Sequence, residues 1–128
     1  ERFQLPWGET LARLRGLLGG TPSLVDSTGV GDPIVEELQR GGLRVEGFGF
    51  TAASKQKLME GLAHAIQQGQ VRYPDGPIVA ELEAFEYHYT RTGVQYSAME
   101  GMHDDCVCAL ALAVSKLGHR VERSIRWL

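Results

Sequence analysis

The chain has 128 residues, of which 43% are hydrophobic and 23% are charged, and its formal net charge is −3. The length is that of one domain and argues against two independent cores, and the proportions are close to the averages for globular domains and exclude wholesale disorder. The longest apolar run, residues 106–114, is far shorter than the ~20 residues of a membrane-spanning helix, so we expect no span. Domains that hold DNA by bulk charge are usually basic, so the acidic balance gives no global sign of nucleic-acid binding.

The predicted elements alternate between helices and short strands. The first half of the chain contains a helix at 8–18, a strand at 23–27, a helix from 32 to 40 and a strand at 43–50. A longer helix follows, capped by Ser54 and closed by Gly69, and then an extended piece at 71–73. The last elements are a helix at 77–85, a hairpin of strands 86–90 and 94–97, and a helix at 103–117. Residues 3–5 are long enough only to end a strand. This order predicts an α/β domain with a mostly parallel sheet and an antiparallel hairpin near its end.

The first candidate functional residue is Asp26, which ends a hydrophobic strand and precedes a glycine-rich turn. In open α/β sheets ligands bind beyond the carboxyl ends of the strands, which is where this side chain is expected. The structural alternative is that Asp26 accepts a hydrogen bond from the backbone of its own turn, as Asp and Asn residues often do. The residues themselves leave both interpretations open.

A second candidate is the segment His103-Asp104-Asp105, which opens a helix whose continuation is apolar on every face. We expect such a helix to be buried all round, so that its paired acids are costly unless protonated or metal-bound. The alternative is that the acids only cap the helix and complement its dipole. Because Asp104 and Asp105 each share a face with apolar residues, periodicity does not choose between them.

A strand-end acid and a helix-start acid pair suggest a hard divalent cation held by oxygen ligands. Two-metal phosphoryl-transfer sites need several carboxylates to hold ions about 3.5–4 Å apart. A different class of protein, a small nucleotide-binding module, would hold a phosphate at Gly29-Val30-Gly31 and the following helix start. That loop matches neither the dinucleotide fingerprint nor the P-loop, so it is the weaker hypothesis. Cys106 and Cys108 point in different directions on a helix, so we expect two core residues and no disulfide.

Three segments resemble, in order, the motifs of one protein family. Residues 24–33 resemble the second acidic motif in the nuclease domain of the large terminase subunit of tailed bacteriophages, residues 50–55 resemble the segment leading into its next helix, and residues 103–105 with the following alanine-rich helix are similar to its last acidic motif. The resemblance extends from Phe3 to about Leu117. It implies a ribonuclease H-like fold, a mixed sheet flanked by helices, with residues 1–128 forming a single partial nuclease-like domain.

The resemblance also implies an activity and its residues. In that family, acids bind Mg²⁺ or Mn²⁺ ions, which activate water to hydrolyse a phosphodiester of double-stranded DNA. The nuclease cuts concatemeric phage DNA at the start and end of packaging, in the cytoplasm of the bacterial host. Carried over, Asp26, Asp104 and Asp105 are catalytic metal ligands and Lys55 contacts a DNA phosphate, with a solvated lysine as the alternative. His103 either orients or supplements the metal site, or it is a helix-capping or surface histidine. The family's partners are the small terminase subunit and the portal protein, and no membrane is implied.

The chain departs from the family pattern before Asp26. The family's fold begins with a strand that bears its first carboxylate and with a second antiparallel strand, whereas Glu1 and Glu9 are the only acids here and neither lies in an apolar strand. The residues from Glu1 to Leu5 resemble the tail of the third strand, and the family's ATPase domain has no counterpart. We therefore expect a piece of a longer protein that is N-terminally incomplete and a weak or inactive nuclease. An exposed sheet edge would favour a homodimer. The alternative function is a non-catalytic remnant or assembly module that binds DNA or packaging partners.

Overall fold

The computed structural model describes residues 3–29, 32–90, 93–98 and 103–125, and the side chains of residues 86–95, 97–98 and 118–125 are outside the description. By internal contacts the chain forms two compact units, Glu1–Phe50 and Thr51–Leu128. None of the described helices has the length and apolar character needed to cross a membrane. The grouping of residues 1–128 into one nuclease-like domain stays a prediction.

The first unit alternates two helices with two parallel strands. Its elements are α1 (Trp7–Leu18), β1 (Ser23–Asp26), α2 (Asp32–Arg40) and β2 (Val45–Phe48). The two strands pair in parallel from Ser23 opposite Val45 to Asp26 opposite Phe48. The core consists of four buried residues, Val35, Leu38, Leu43 and Val45, with partly buried leucines of α1 packed against them. Burial of each large side chain contributes about 1.5–3 kcal/mol to the stability of this unit.

The second unit contains three helices and a hairpin. Its elements are α3 (Ala52–Gln67), α4 (Pro77–Ala84), β3 (Phe85–Thr90), β4 (Gly93–Ala98) and α5 (Asp105–Ile125). Strands β3 and β4 pair antiparallel, with Phe85 opposite Ala98 and Thr90 opposite Gly93. Helix α5 packs against α3 and α4, and the core residues come mainly from α3 and α5: Leu58, Met59, Leu62, Ala65, Val107, Ala111 and Leu112. The predicted parallel pair and the antiparallel hairpin are therefore confirmed; the turn residues Arg91 and Thr92 lie outside the described residues.

Helix α3 begins earlier than the sequence pattern predicts, because Thr51 caps it and Ser54 does not. The Thr51 hydroxyl accepts a hydrogen bond from the Ser54 N–H at 3.1 Å, and the Ser54 hydroxyl accepts one from the Thr51 N–H at 2.8 Å. This reciprocal pair is a capping box with serine in the place of the usual glutamate. Ser54 is therefore a cap partner inside the first turn, one residue before Lys55.

The expectation that α5 is buried on every face is wrong. Val107 and Ala111 are each 1% exposed, whereas Ala109 and Ala113 are exposed and Leu117 is 61% exposed. The exposed residues recur every four positions, so they form one solvent-facing stripe along the helix. Alanine favours helix and exposes little apolar surface, which is why an apolar run can include a face in water. The helix also begins at Asp105, two residues later than predicted, and continues beyond the predicted end.

Two predicted extended pieces form no strand. The residues from Phe3 to Pro6 and from Val71 to Tyr73 have no regular secondary structure. A strand needs a neighbouring strand to complete its backbone hydrogen bonds, and the described part of the chain pairs only β1 with β2 and β3 with β4. Cys106 and Cys108 are half-buried, so they lie at the edge of the core and not fully inside it.

Candidate functional site

Asp26 is held by the turn that follows β1. Its Oδ1 accepts a hydrogen bond from the Thr28 N–H at 2.8 Å. The Thr28 hydroxyl in turn accepts a bond from the Phe50 N–H at 2.7 Å, and the Ser27 N–H donates to the Phe48 carbonyl at 2.9 Å. These bonds extend the β1–β2 pairing by one step and fix the start of the turn. One carboxylate oxygen of Asp26 therefore accepts the backbone hydrogen bond that the structural alternative predicts. The side chain is nevertheless exposed at the carboxyl end of β1, where ligands bind in open α/β sheets.

Asp104 forms an ion pair with Lys55. The Lys55 Nζ lies 3.0 Å from the Asp104 Oδ2, and the two side chains are 26% and 28% exposed. Lys55 belongs to the first turn of α3, and Asp104 directly precedes α5, where its carbonyl accepts a bond from the Cys108 N–H at 2.9 Å. Asp104 is therefore the N-cap residue of α5. The expected alternative for Lys55, a lysine in solvent, is wrong because its charge is paired and half-buried.

The two adjacent acids differ in their surroundings. Asp104 is half-buried beside Lys55, whereas Asp105 is exposed as the first residue of α5. The tertiary structure thus separates two residues that helical periodicity left equivalent. His103 is exposed and lies one position before the N-cap residue Asp104, so it is a surface residue and not the N-cap; its role at the metal site stays a prediction.

Glu81 is the residue that the sequence interpretation missed. It is only 5% exposed, and its Oε2 accepts hydrogen bonds from the Cys106 N–H at 2.7 Å and from the Val107 N–H at 3.2 Å. Its Oε1 is also buried and has no hydrogen-bond partner among the described residues. A signal was present: Glu81 lies three residues after Ile78 and four before Phe85, so helical spacing puts it on the inward face of α4.

The donor atoms fit a hard divalent cation, although neither unit by itself collects many of them. Within each unit, the described residues bring together no group of three or more His, Cys, Asp or Glu side chains. The available donors are carboxylate oxygens, the ligand type that Mg²⁺ and Mn²⁺ prefer. Asp104 also already neutralises a cation, the Lys55 ammonium. The carboxylate oxygens are therefore chemically suited to such an ion. The loop Gly29-Val30-Gly31, on which the nucleotide-binding hypothesis depends, lies partly outside the described residues.

Comparison with known proteins identifies the family. The protein-family model for the terminase RNaseH-like domain matches residues 21–117 of this chain. The large terminase subunit of Thermus phage G20c is 38% identical over 116 residues, which are 86% of this chain and 24% of that protein. The chain thus spans about a quarter of the length of that relative.

Solved structures agree with this match. The large terminase nuclease of phage G20c, in structures with bound cobalt and with bound magnesium, superimposes with TM-scores of 0.76 and 0.77 at 37% and 36% identity; each match covers 87% of this chain and 62% of that chain. The chain belongs to the terminase RNaseH-like family and has its α/β, ribonuclease H-like fold. The family and fold implied by the sequence motifs are confirmed.

Proposed function

We propose that this chain is the divalent-metal-dependent nuclease domain of a phage DNA-packaging terminase, which cuts concatemeric double-stranded DNA. The observation that carries the proposal is the half-buried Asp104 carboxylate, held at the start of α5 and balanced by Lys55. Partial burial of a carboxylate costs desolvation free energy, and binding of a cation offsets that cost. Family membership and relatives solved with divalent ions support the same conclusion.

The proposed ligands are Asp26, Asp104 and Asp105, and the proposed ion is Mg²⁺ or Mn²⁺. When bound, the ions supply the Lewis acidity that activates water and stabilises negative charge on the phosphate, in a two-metal arrangement. Asp26 contributes the carboxylate oxygen that its turn leaves available, because Thr28 N–H engages Oδ1. Asp104 contributes a carboxylate whose position is set by the first turn of α5.

Lys55 is proposed to contact a DNA phosphate. Its ammonium group lies 3.0 Å from Asp104 Oδ2, so a phosphate bound beside that carboxylate would meet a positive charge. The lysine then has two roles, since it neutralises Asp104 in the absence of substrate and lowers the repulsion between that carboxylate and the DNA backbone.

The proposed partners follow from the family: double-stranded DNA, the small terminase subunit and the portal protein, in the host cytoplasm. A homodimer through the β1–β2 sheet is a further proposal. In the described part of the chain that sheet has two strands, so each strand is paired on one side. Free strand edges favour pairing with another chain.

A second candidate function is a non-catalytic assembly module that keeps the fold. It is favoured by the lack of a three-residue acidic cluster within either unit's described residues. The two functions differ in one measurable property, the binding of divalent ions to the carboxylates.

Calorimetry with Mn²⁺ and a plasmid-nicking assay distinguish the two. For the nuclease we expect millimolar or tighter Mn²⁺ binding that Asp26→Asn and Asp104→Asn each weaken strongly, together with weak, metal-dependent nicking. Glu83→Gln changes an exposed acid of α4 in the same way and serves as the matched control. If the parent protein binds DNA but shows no Mn²⁺ binding in calorimetry, the chain is the assembly module. Metal-dependent cleavage that Asp26→Ala abolishes would establish the nuclease.

A further inference from the structure

Helix α5 receives its N-terminal cap from a different helix. The N–H groups of Cys106 and Val107 are the second and third of α5, and at most helix starts the side chain of the N-cap residue accepts from them. Here the N-cap residue is Asp104, which is well suited to that role. Both N–H groups nevertheless donate to Glu81 Oε2 from α4, and the Asp104 carboxylate instead accepts from Lys55.

The burial of Glu81 shows that capping α5 with Glu81 in place of Asp104 has an energetic cost. A carboxylate that is 5% exposed loses most of its hydration, and Oε1 gains no hydrogen-bond partner among the described residues in return. Two charge-assisted bonds and the positive end of the α5 dipole stabilise the buried charge. An aspartate already in the N-cap position would supply the same bonds without burying a second acid, so capping alone does not account for Glu81.

We propose that Glu81 is a positioning residue that caps α5 in place of Asp104 and thereby keeps the Asp104 carboxylate available for a divalent ion. The proposal rests on the proposed function for the identity of the ion. With Glu81 present, the first turn of α5 is satisfied and the Asp104 side chain lies toward Lys55. Without Glu81, the Asp104 carboxylate caps its own helix by accepting from the N–H groups of Cys106 and Val107. It then no longer contacts Lys55 and is no longer placed to bind a divalent ion.

The main test is Mn²⁺ calorimetry on Glu81→Met, which fills a similar volume without an acceptor. Substitution of groups that orient metal ligands weakens binding about 10–100-fold, and we expect at least the lower value here. Glu81→Gln retains an acceptor oxygen for the two N–H groups, so its Mn²⁺ affinity should stay close to that of the parent. Glu83→Met, on the exposed face of the same helix, is the matched control and should have no effect.

A stability control separates positioning from general weakening of the fold. Leu112→Ala removes a buried side chain two turns further along α5 and lowers the melting temperature without touching the cap. It should leave Mn²⁺ affinity unchanged. If Leu112→Ala weakens Mn²⁺ binding as much as Glu81→Met does, or if Glu81→Met binds Mn²⁺ like the parent, the proposal is wrong.

A metal-free measurement tests the same proposal even if the parent binds no Mn²⁺ and the proposed function fails. Asp104→Ala should lower the melting temperature only slightly in the parent, because it removes a half-exposed ion pair. In the Glu81→Met background, the same substitution removes the substitute cap, so the decrease should be clearly larger. Equal decreases in the two backgrounds would overturn the exchange of caps. Glu81→Ala provides the same comparison should methionine prevent folding.

Discussion

Lys55 and Asp104 are 49 positions apart in the chain, yet the lysine Nζ lies 3.0 Å from the aspartate Oδ2. The pair joins the first turn of α3 to the residue that precedes α5, and both side chains are about one quarter exposed. An ion pair with this exposure contributes at most about 1 kcal/mol to stability. In the proposed function its importance is electrostatic, because it would set the charge that an incoming ion or phosphate meets at Asp104.

Replacing Lys55 with methionine should affect metal and DNA binding in opposite directions. Without the ammonium, the Asp104 carboxylate has no competing cation, so Mn²⁺ affinity should increase, by about threefold for a screened unit charge. The affinity for double-stranded DNA should decrease because a phosphate contact is lost. Calorimetry and a DNA-binding titration measure the two effects. Lys57→Met, at an exposed position of the same helix, is the control, and a parallel decrease in both affinities would contradict the prediction.

Asp104→Asn and Asp105→Asn should weaken Mn²⁺ binding to different extents. Asp104 is half-buried and directed to Lys55, whereas Asp105 is exposed at the first position of α5. A carboxylate in the less hydrated environment interacts more strongly with an ion, so Asp104→Asn should have the larger effect, about tenfold or more. Equal effects in calorimetry would show that both acids are equivalent ligands.

Thr51→Ala should destabilise the second unit through the start of α3. The substitution removes the hydroxyl that accepts from the Ser54 N–H, whereas the backbone N–H of residue 51 can still donate to the Ser54 hydroxyl. Loss of an N-cap costs about 0.5–2 kcal/mol, measured as the free energy of unfolding in urea. Thr21→Ala changes a threonine outside any cap and should be close to neutral. An unchanged unfolding midpoint in Thr51→Ala would exclude the capping box as a stabilising element.

Gly47→Ala should disturb the strand end that carries Asp26. A Cβ at Gly47 would lie 3.0 Å from Ser27 Oγ and 3.1 Å from Val35 Cγ2, which is too close without local shifts. Overpacking of this kind costs about 1–3 kcal/mol. A Cβ at Gly49 would meet no atom within 4 Å, so Gly49→Ala is a control two residues away. Urea unfolding of both variants tests the prediction, and similar midpoints for the two would contradict it.

Much of the secondary structure follows from local patterns in the sequence. Periodic leucines in α1, the Asp-Pro start of α2 and the residues on either side of the β3–β4 turn are all signals that act over a few positions, and the corresponding elements are present. The start of α3 does not follow from the sequence, because Thr51 and Ser54 are both good caps and only the reciprocal hydrogen bonds show which one precedes the helix. The family was also evident from the sequence, because its three motifs keep their order and spacing.

The sequence by itself thus determined the α/β class, the family, and the candidate acids Asp26, Asp104 and Asp105. The tertiary structure decided that Asp104, and not Asp105, pairs with Lys55, and that Glu81 caps α5 across 25 positions of chain. The physical reason is range: helical and strand periodicity reports which face a residue occupies, whereas the partner on that face comes from another element brought close by packing. The buried acid of α4 and the N–H groups at the start of α5 become partners only because packing brings the two helices together.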